Sequence, residues 1–165
     1  MTDRIDLSPL FALQKELDEE IAIKHNVSYE STFPRRLLSL LVEVGEFANE
    51  TRCFKYWSYK PSSPLDVVLE EYVDGLHFLL SLGIPLGIEE AVIDIEKPNI
   101  DLVEAILDFY GHAYSLKKDY SKENYLSLLK EYLNILPLFG ADSASLISSY
   151  KKKMEENHRR QNSHY

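Results

Sequence analysis

Residues 34–52 read Pro34-Arg-Arg-Leu37-Leu-Ser-Leu-Leu41-Val-Glu43-Val44-Gly-Glu46-Phe-Ala48-Asn-Glu-Thr-Arg52. Leu37, Leu41, Val44 and Ala48 recur at steps of three and four, the period of one helix face. Pro34 suits a first turn, where its missing N–H costs nothing. The stretch therefore predicts a helix from Pro34 to about Arg52. Ser63-Pro64 predicts the start of the next helix, which runs to about Leu82 with Leu69, Val73, Leu76 and Leu80 on its buried stripe. The segment 53–64 holds two prolines, Pro61 and Pro64, and no long period, and reads as a loop.

Helical periods continue on both sides. Ser8, as cap, and Pro9 open a helix over about 9–25 that carries Leu10, Leu13, Leu17 and Ile21. Gly83, Pro85 and Gly87 end the third helix, and a short helix is expected at about 88–94. After the break at Lys97-Pro98-Asn99, Leu102, Ile106, Phe109 and Ala113 predict a helix over about 101–118. Ser121 caps the next, about 122–136, with Tyr125, Leu129 and Leu133 in phase. Asp142 caps a last helix to about Asn157, carrying Leu146, Tyr150 and Met154. No stretch alternates with period two for long enough to be a strand. The expected class is all-α, a five- or six-helix bundle in a single domain over 1–165.

Composition narrows the function. Lys+Arg is 18 and Asp+Glu is 27, a formal net charge of −9. An acidic surface opposes nucleic-acid binding, which needs cations against phosphates, and opposes docking on anionic membranes. The most apolar stretch, Val73 to Ile88, contains Asp74, His77, Ser81 and Pro85, and is too short and polar to span a bilayer. Cys53 is the single cysteine, so no intrachain disulfide forms. The first residues, Met1-Thr-Asp-Arg-Ile-Asp-Leu7, lack a basic and then apolar signal. The expected compartment is the cytoplasm.

The two central helices carry the chemistry. Glu43 and Glu46 are three residues apart, as are Glu71 and Asp74 in Glu70-Glu71-Tyr-Val-Asp74-Gly75-Leu-His77-Phe78. At that spacing two side chains lie roughly 60° apart on one helix face. Helices joined by a short connection are antiparallel neighbours, so four carboxylates can converge. A converged set cannot stay fully ionised without a counterion. A hard divalent cation with oxygen ligands, Mg²⁺, resolves the conflict, whereas the ligands for zinc are lacking. A solvated acidic face is the plainer reading of each pair alone.

The flanking residues extend this picture without deciding it. Trp57, in Phe54-Lys55-Tyr56-Trp57-Ser58, reads as a partial core residue or as an apolar wall for a base; Lys55 beside it could reach a phosphate. His77 reads as a hydrogen-bonded helix histidine or as a contact to a sugar hydroxyl. Residues 151–165 hold five Lys/Arg against two Glu, a basic tail on an acidic chain. Such a tail is a solvated helix end suited to the dipole, or a flap that brings cations to phosphates.

Taken together, Glu43-x-x-Glu46, Phe54-Lys55-x-Trp57-Ser58 and Glu71-x-x-Asp74-Gly-Leu-His77-Phe78 resemble the dimeric, all-α dUTPase family of the all-α NTP pyrophosphatase superfamily, which includes MazG-like relatives. Lys153-x-x-x-Asn157-x-x-Arg160-Gln161-x-x-x-Tyr165 is similar to that family's C-terminal phosphate-binding motif, and Gln14-x-x-Leu17-Asp18 to its uracil-side motif. The resemblance implies hydrolysis of dUTP, and of dUDP, to dUMP. It implies two or three Mg²⁺ per active site on Glu43, Glu46, Glu71 and Asp74, with Glu46 or Glu43 activating the attacking water. It assigns phosphates to Lys55, Lys153, Asn157, Arg160 and Tyr165. It assigns the nucleoside to Gln14, Trp57, His77 and Phe78. It also implies a homodimer; a regulatory protein partner is not legible from the residues. The competing readings are a MazG-like pyrophosphatase of another nucleotide and a non-catalytic helical interaction module.

Overall fold

The computed structural model describes residues 2–164. Among them are six α-helices: α1 Ser8–His25, α2 Tyr29–Thr51, α3 Leu65–Gly83, α4 Leu102–Ser115, α5 Lys122–Leu133 and α6 Ser143–Asn162. The all-α expectation holds, and the buried apolar residues form one cluster drawn from every helix.

The apolar stripes read from the sequence face inward. Leu37 and Val44 on α2, Val73, Leu76 and Leu80 on α3, and Phe109 and Ala113 on α4 are all buried. So are Tyr125, Leu129 and Leu133 on α5, and Leu146, Tyr150 and Met154 on α6. Helix α3 is the central element; it contacts α1, α2, α5 and α6 and buries nearly its whole second half. Ser63 N–H donates to Glu50 O at 3.0 Å, and Arg36 Nη1 donates to Ser81 O at 2.9 Å. Residue numbers thus rise along α2 as they fall along α3, and the two helices are antiparallel.

A pair of aromatic clamps holds α3 on α5. Tyr72 Oη donates to Tyr132 O at 2.7 Å and Tyr132 Oη donates to Tyr72 O at 2.6 Å, with the rings stacked at 4.3 Å. Tyr125 Oη donates to Leu79 O at 2.7 Å. These buried hydroxyls are satisfied and cross-link the helix that carries Glu71 and Asp74.

Four sequence expectations are corrected. Strand β1, Asp3–Asp6, pairs antiparallel with β2, Val92–Ile95, in the register Asp3↔Ile95 to Asp6↔Val92. The second strand replaces the short helix expected at 88–94. Each strand is four residues long, too short for its alternation to stand out, and their partners lie about 90 residues apart in sequence. The pair is fastened by burial of Ile5 and Ile95 and by Arg4 Nε on Asp94 Oδ1 at 2.6 Å. Helix α2 begins at Tyr29, not Pro34, because Ser28 and Ser31 form a reciprocal capping box. Ser8 is inside α1 rather than its cap, with its hydroxyl given to Asp6 Oδ1 at 2.7 Å. Ser63 caps no helix; its hydroxyl goes to the Glu50 carboxylate. The caps Ser121 and Asp142 are as expected, each accepting from a backbone N–H three residues on.

Candidate active site

The antiparallel run of α2 and α3 brings their acidic residues into register. Glu43, Glu46 and Glu71 each offer a carboxylate oxygen, and the three oxygens lie within 4.8 Å of one another. Glu46 is exposed, while Glu43 and Glu71 are half-buried. Glu43 Oε2 and Glu71 Oε2 are buried and have no hydrogen-bond partner among the described residues. Buried oxygens left without donors are costly and therefore rare. An all-oxygen set with two unpartnered members is what a hard divalent cation such as Mg²⁺ takes as ligands.

Asp74 does not join the three. It faces Lys153 Nζ of α6 at 3.2 Å; the same ammonium meets Glu70 at 3.0 Å and Glu156 at 3.4 Å. Lys153 is 7% exposed, and a charge that deep requires matching carboxylates. Burial alone would lower its pKa, but the hydrogen bond to Glu70 and the charge of Asp74 outweigh burial and raise it.

Burial first, then the Asp74 charge, pushes Glu43 up to about 8 and Glu71 up to about 7. Both folded-state values lie above the ordinary 4.5 of the unfolded chain. The folded state therefore binds protons more tightly. This contribution to stability is complete below pH 4.5 and is lost as pH rises through 7 and 8. The metal-free protein should melt at progressively lower temperature from about pH 5 to pH 8.5 in a thermal-shift series, and Glu43→Gln should flatten that slope.

A cavity of about 570 Å³ opens beside the carboxylates, between α1, α2, α3 and α6. Glu43, Asp74, Asn157 and Arg160 line one part, and Gln14, Asp18, Tyr29, His77, Phe78 and Ser81 another. Gln14 and His77 are 4% and 5% exposed. Asp18 accepts from Gln14 Nε2 at 2.9 Å, Ser81 Oγ at 2.8 Å and Tyr29 Oη at 3.1 Å. His77 Nδ1 lies 2.7 Å from Gln14 Oε1, and its ring stacks on Tyr150 at 4.2 Å. Its Nε2 is buried without a partner. Burial, then the Lys153 charge, pushes the imidazole down to about 3, so it is neutral.

A family model described as dUTPase matches residues 6–165. The chain belongs to the dUTPase family. As a member it is a dUTP diphosphatase, a hydrolase of nucleotide metabolism. A comparison with curated proteins returns no match. Membership sets aside the reading of the acidic face as a non-catalytic interaction module.

Within this dUTPase-family chain, the cavity gathers Glu43, Asp74, Gln14, His77, Phe78, Asn157 and Arg160. Glu46 and Glu71 meet Glu43, and Lys153 meets Asp74, without lining the cavity themselves, whereas two other sequence-assigned residues stand elsewhere. Lys55 and Trp57 sit on the loop between α2 and α3, away from the cavity lining, with Trp57 63% exposed and edge-on to Phe54 and Tyr56. The loop leaves α2 through a left-handed turn at Arg52 and is tied to the α2 end by Arg52 Nε to Lys60 O at 3.1 Å. Tyr165 lies outside the described residues. The basic segment is no loose flap among those described. It forms the last turns of α6, fastened to α1 by Lys24 Nζ on Gln161 O at 2.7 Å and His158 on Glu20 at 2.7 Å.

Tyr29, Arg36 and Ser81 also line the cavity, outside the residues the sequence assigns to the site. Ser81 had a signal: one hydroxyl inside Leu79-Leu80-Ser81-Leu82. Arg36 donates to Ser81 O, Tyr29 O and Thr32 Oγ1, contacts that only the fold creates.

Proposed function

We propose that the chain hydrolyses dUTP, and also dUDP, to dUMP in a Mg²⁺-dependent reaction, with Glu43, Glu46, Glu71 and Asp74 as the metal-holding carboxylates. One observation carries this: a single cavity joins the buried Gln14–His77 wall to Glu43 and Asp74. Its lining suits a nucleoside against the buried polar wall and a phosphate chain beside Glu43, Asp74, Asn157 and Arg160. The metal, when bound, supplies positive charge against phosphate oxygens and lowers the pKa of water.

The protein's own groups do the rest. Glu46 or Glu43 accepts the proton of the attacking water. Lys153 and Arg160 approach the phosphate chain from α6 and stabilise charge on the leaving group. Asp74, paired with Lys153 in the free protein, would be released to hold metal when the Lys153 ammonium goes to phosphate, so both charges would keep a partner. Asn157 adds a neutral donor. Phe78 and the Gln14 amide hold the nucleoside. A close-fitting wall rejects the methyl of thymine, and the buried polar groups reject bases with the wrong donor and acceptor pattern.

Purified protein with Mg²⁺ should release pyrophosphate from dUTP and convert dUDP to dUMP. The kcat/KM for dTTP, dCTP and UTP should be lower by about 100-fold. Chelation should stop turnover and restored Mg²⁺ should recover it. Absence of pyrophosphate from dUTP overturns the reading; equal rates on every triphosphate favour a broad MazG-like pyrophosphatase.

A homodimer belongs to the same proposal. The adjacent helices α2 and α4, linked by Tyr110 Oη on Leu41 O at 2.9 Å, expose Leu38, Val42, Leu107 and Tyr114. A second copy would cover this apolar surface. Sedimentation at micromolar concentration should give twice the 19.1 kDa chain mass. No helix among the described residues is long and apolar enough to cross a membrane.

A further inference from the structure

We infer that Asp18 is a positioning residue that sets, through the Gln14 amide, which nitrogen of His77 carries the proton, so that the cavity wall presents an acceptor to the nucleoside. The inference rests on the nucleoside reading of this cavity and adds the direction of the hydrogen bond and its cause.

The assignment follows from counting donors. Asp18 is an acceptor and must face the amide nitrogen of Gln14, as it does at 2.9 Å. The amide oxygen then faces the other way. There it meets Tyr150 Oη at 2.8 Å and His77 Nδ1 at 2.7 Å. An oxygen can only accept, so His77 Nδ1 carries the proton. The imidazole is neutral, which leaves Nε2 as a lone pair. That atom is buried, lacks a partner among the described residues, and belongs to a residue that lines the cavity. An unmet buried acceptor there calls for a donor from the ligand. His77 lies one helical turn beyond Asp74, between the phosphate end and the Asp18 end, which points to a sugar hydroxyl as that donor.

The chain of dependence can be reversed with one atom. In Asp18→Asn, the Ser81 and Tyr29 hydroxyls and the nearby Arg36 charge draw the new amide's oxygen to their side. Its NH₂ then confronts the NH₂ of Gln14, and Gln14 turns over. The Gln14 nitrogen now faces His77 Nδ1, which must become the acceptor, and the proton moves to Nε2. Tyr150 permits the reversal, because its hydroxyl also reaches Leu10 O at 3.4 Å and can accept from Gln14 while donating there.

The test is ¹⁵N NMR of histidine-labelled, full-length, metal-free protein, with the His77 signals assigned by their loss in His77→Gln. Wild type should show a protonated Nδ1 and an unprotonated Nε2; Asp18→Asn should exchange them, and Tyr150→Phe should not. Binding of dUMP, the probe, should weaken about tenfold in Asp18→Asn, the scale of one mismatched buried hydrogen bond. A protonated Nε2 in wild type, or an unchanged tautomer in folded Asp18→Asn, overturns the inference. If Asp18→Asn does not fold, Gln14→Met removes the acceptor and should give a mixed tautomer; a retained Nδ1 proton there overturns the inference equally. The tautomer is read without substrate or metal, so a failure of dUTP hydrolysis and a failure of this inference are separate results.

Discussion

Glu46→Gln and Glu43→Gln should each lower kcat on dUTP by about 10²–10³-fold, the scale of losing one group that stabilises developing charge, while the protein stays folded. The three carboxylate oxygens within 4.8 Å repel one another in the metal-free protein, and burial already drives Glu43 and Glu71 toward their neutral forms. A neutral amide of the same shape removes that repulsion. Thermal midpoints at pH 8 should therefore be unchanged in Glu46→Gln and unchanged or higher in Glu43→Gln. Steady-state kinetics at saturating Mg²⁺, paired with thermal shift, separates this from a structural defect. Retained turnover in both variants would remove the catalytic assignment, and a large drop in melting temperature would make the pair structural.

Gly75→Ala should destabilise the protein by about 3 kcal/mol, although alanine favours a helix by about 1 kcal/mol over glycine. A methyl at Gly75 would run into Tyr132 Oη, and Tyr132 cannot withdraw freely. Its hydroxyl is held by Tyr72 O, its ring is stacked on Tyr72, and it is fully buried. Moving it breaks the reciprocal clamp between α3 and α5 and leaves buried polar groups unpaired, at about 1–3 kcal/mol per group. For a chain of this length the midpoint should fall by roughly 6–12 °C. Tyr132→Phe removes the oxygen in the way, so the double variant should recover a substantial part of the loss; the two effects are then strongly non-additive. A Gly75→Ala protein as stable as wild type would show that the clamp yields easily. The consequence reaches function, since Gly75 follows Asp74 on the helix that also carries Glu71.

This glycine shows how much of the site was legible. The order Glu71-x-x-Asp74-Gly75 is written in the chain, and it marks the acidic pair; the need for glycine becomes visible only when Tyr132, 57 residues later, is seen against it. Glu43, Glu46 and Glu71 are legible because a helix repeats every 3.6 residues, a rule local enough to read from spacing. Asp74 obeyed the same rule yet faces Lys153, because a buried ammonium on α6 competes for it. The strands β1 and β2 are not legible in the sequence because each is four residues long and its partner is far away in the chain. Lys55 and Trp57 have suitable chemistry, but loop direction has no period to read, and the turn at Arg52 carries them off the cavity.

By itself the sequence determined a bundle of five or six amphipathic helices, an acidic chain with a basic end, and paired carboxylates on two consecutive helices. These are consequences of local backbone geometry and of where charge lies along the chain. Tertiary structure alone decided which oxygens meet, that Lys153 holds Asp74 while Glu43 and Glu71 keep unpartnered atoms, and that Asp18, Gln14, His77 and Tyr150 form one hydrogen-bonded wall. Those facts depend on the distance and direction between atoms on separate helices, from 25 residues apart for Glu46 and Glu71 to 136 for Gln14 and Tyr150, and no local rule carries that information.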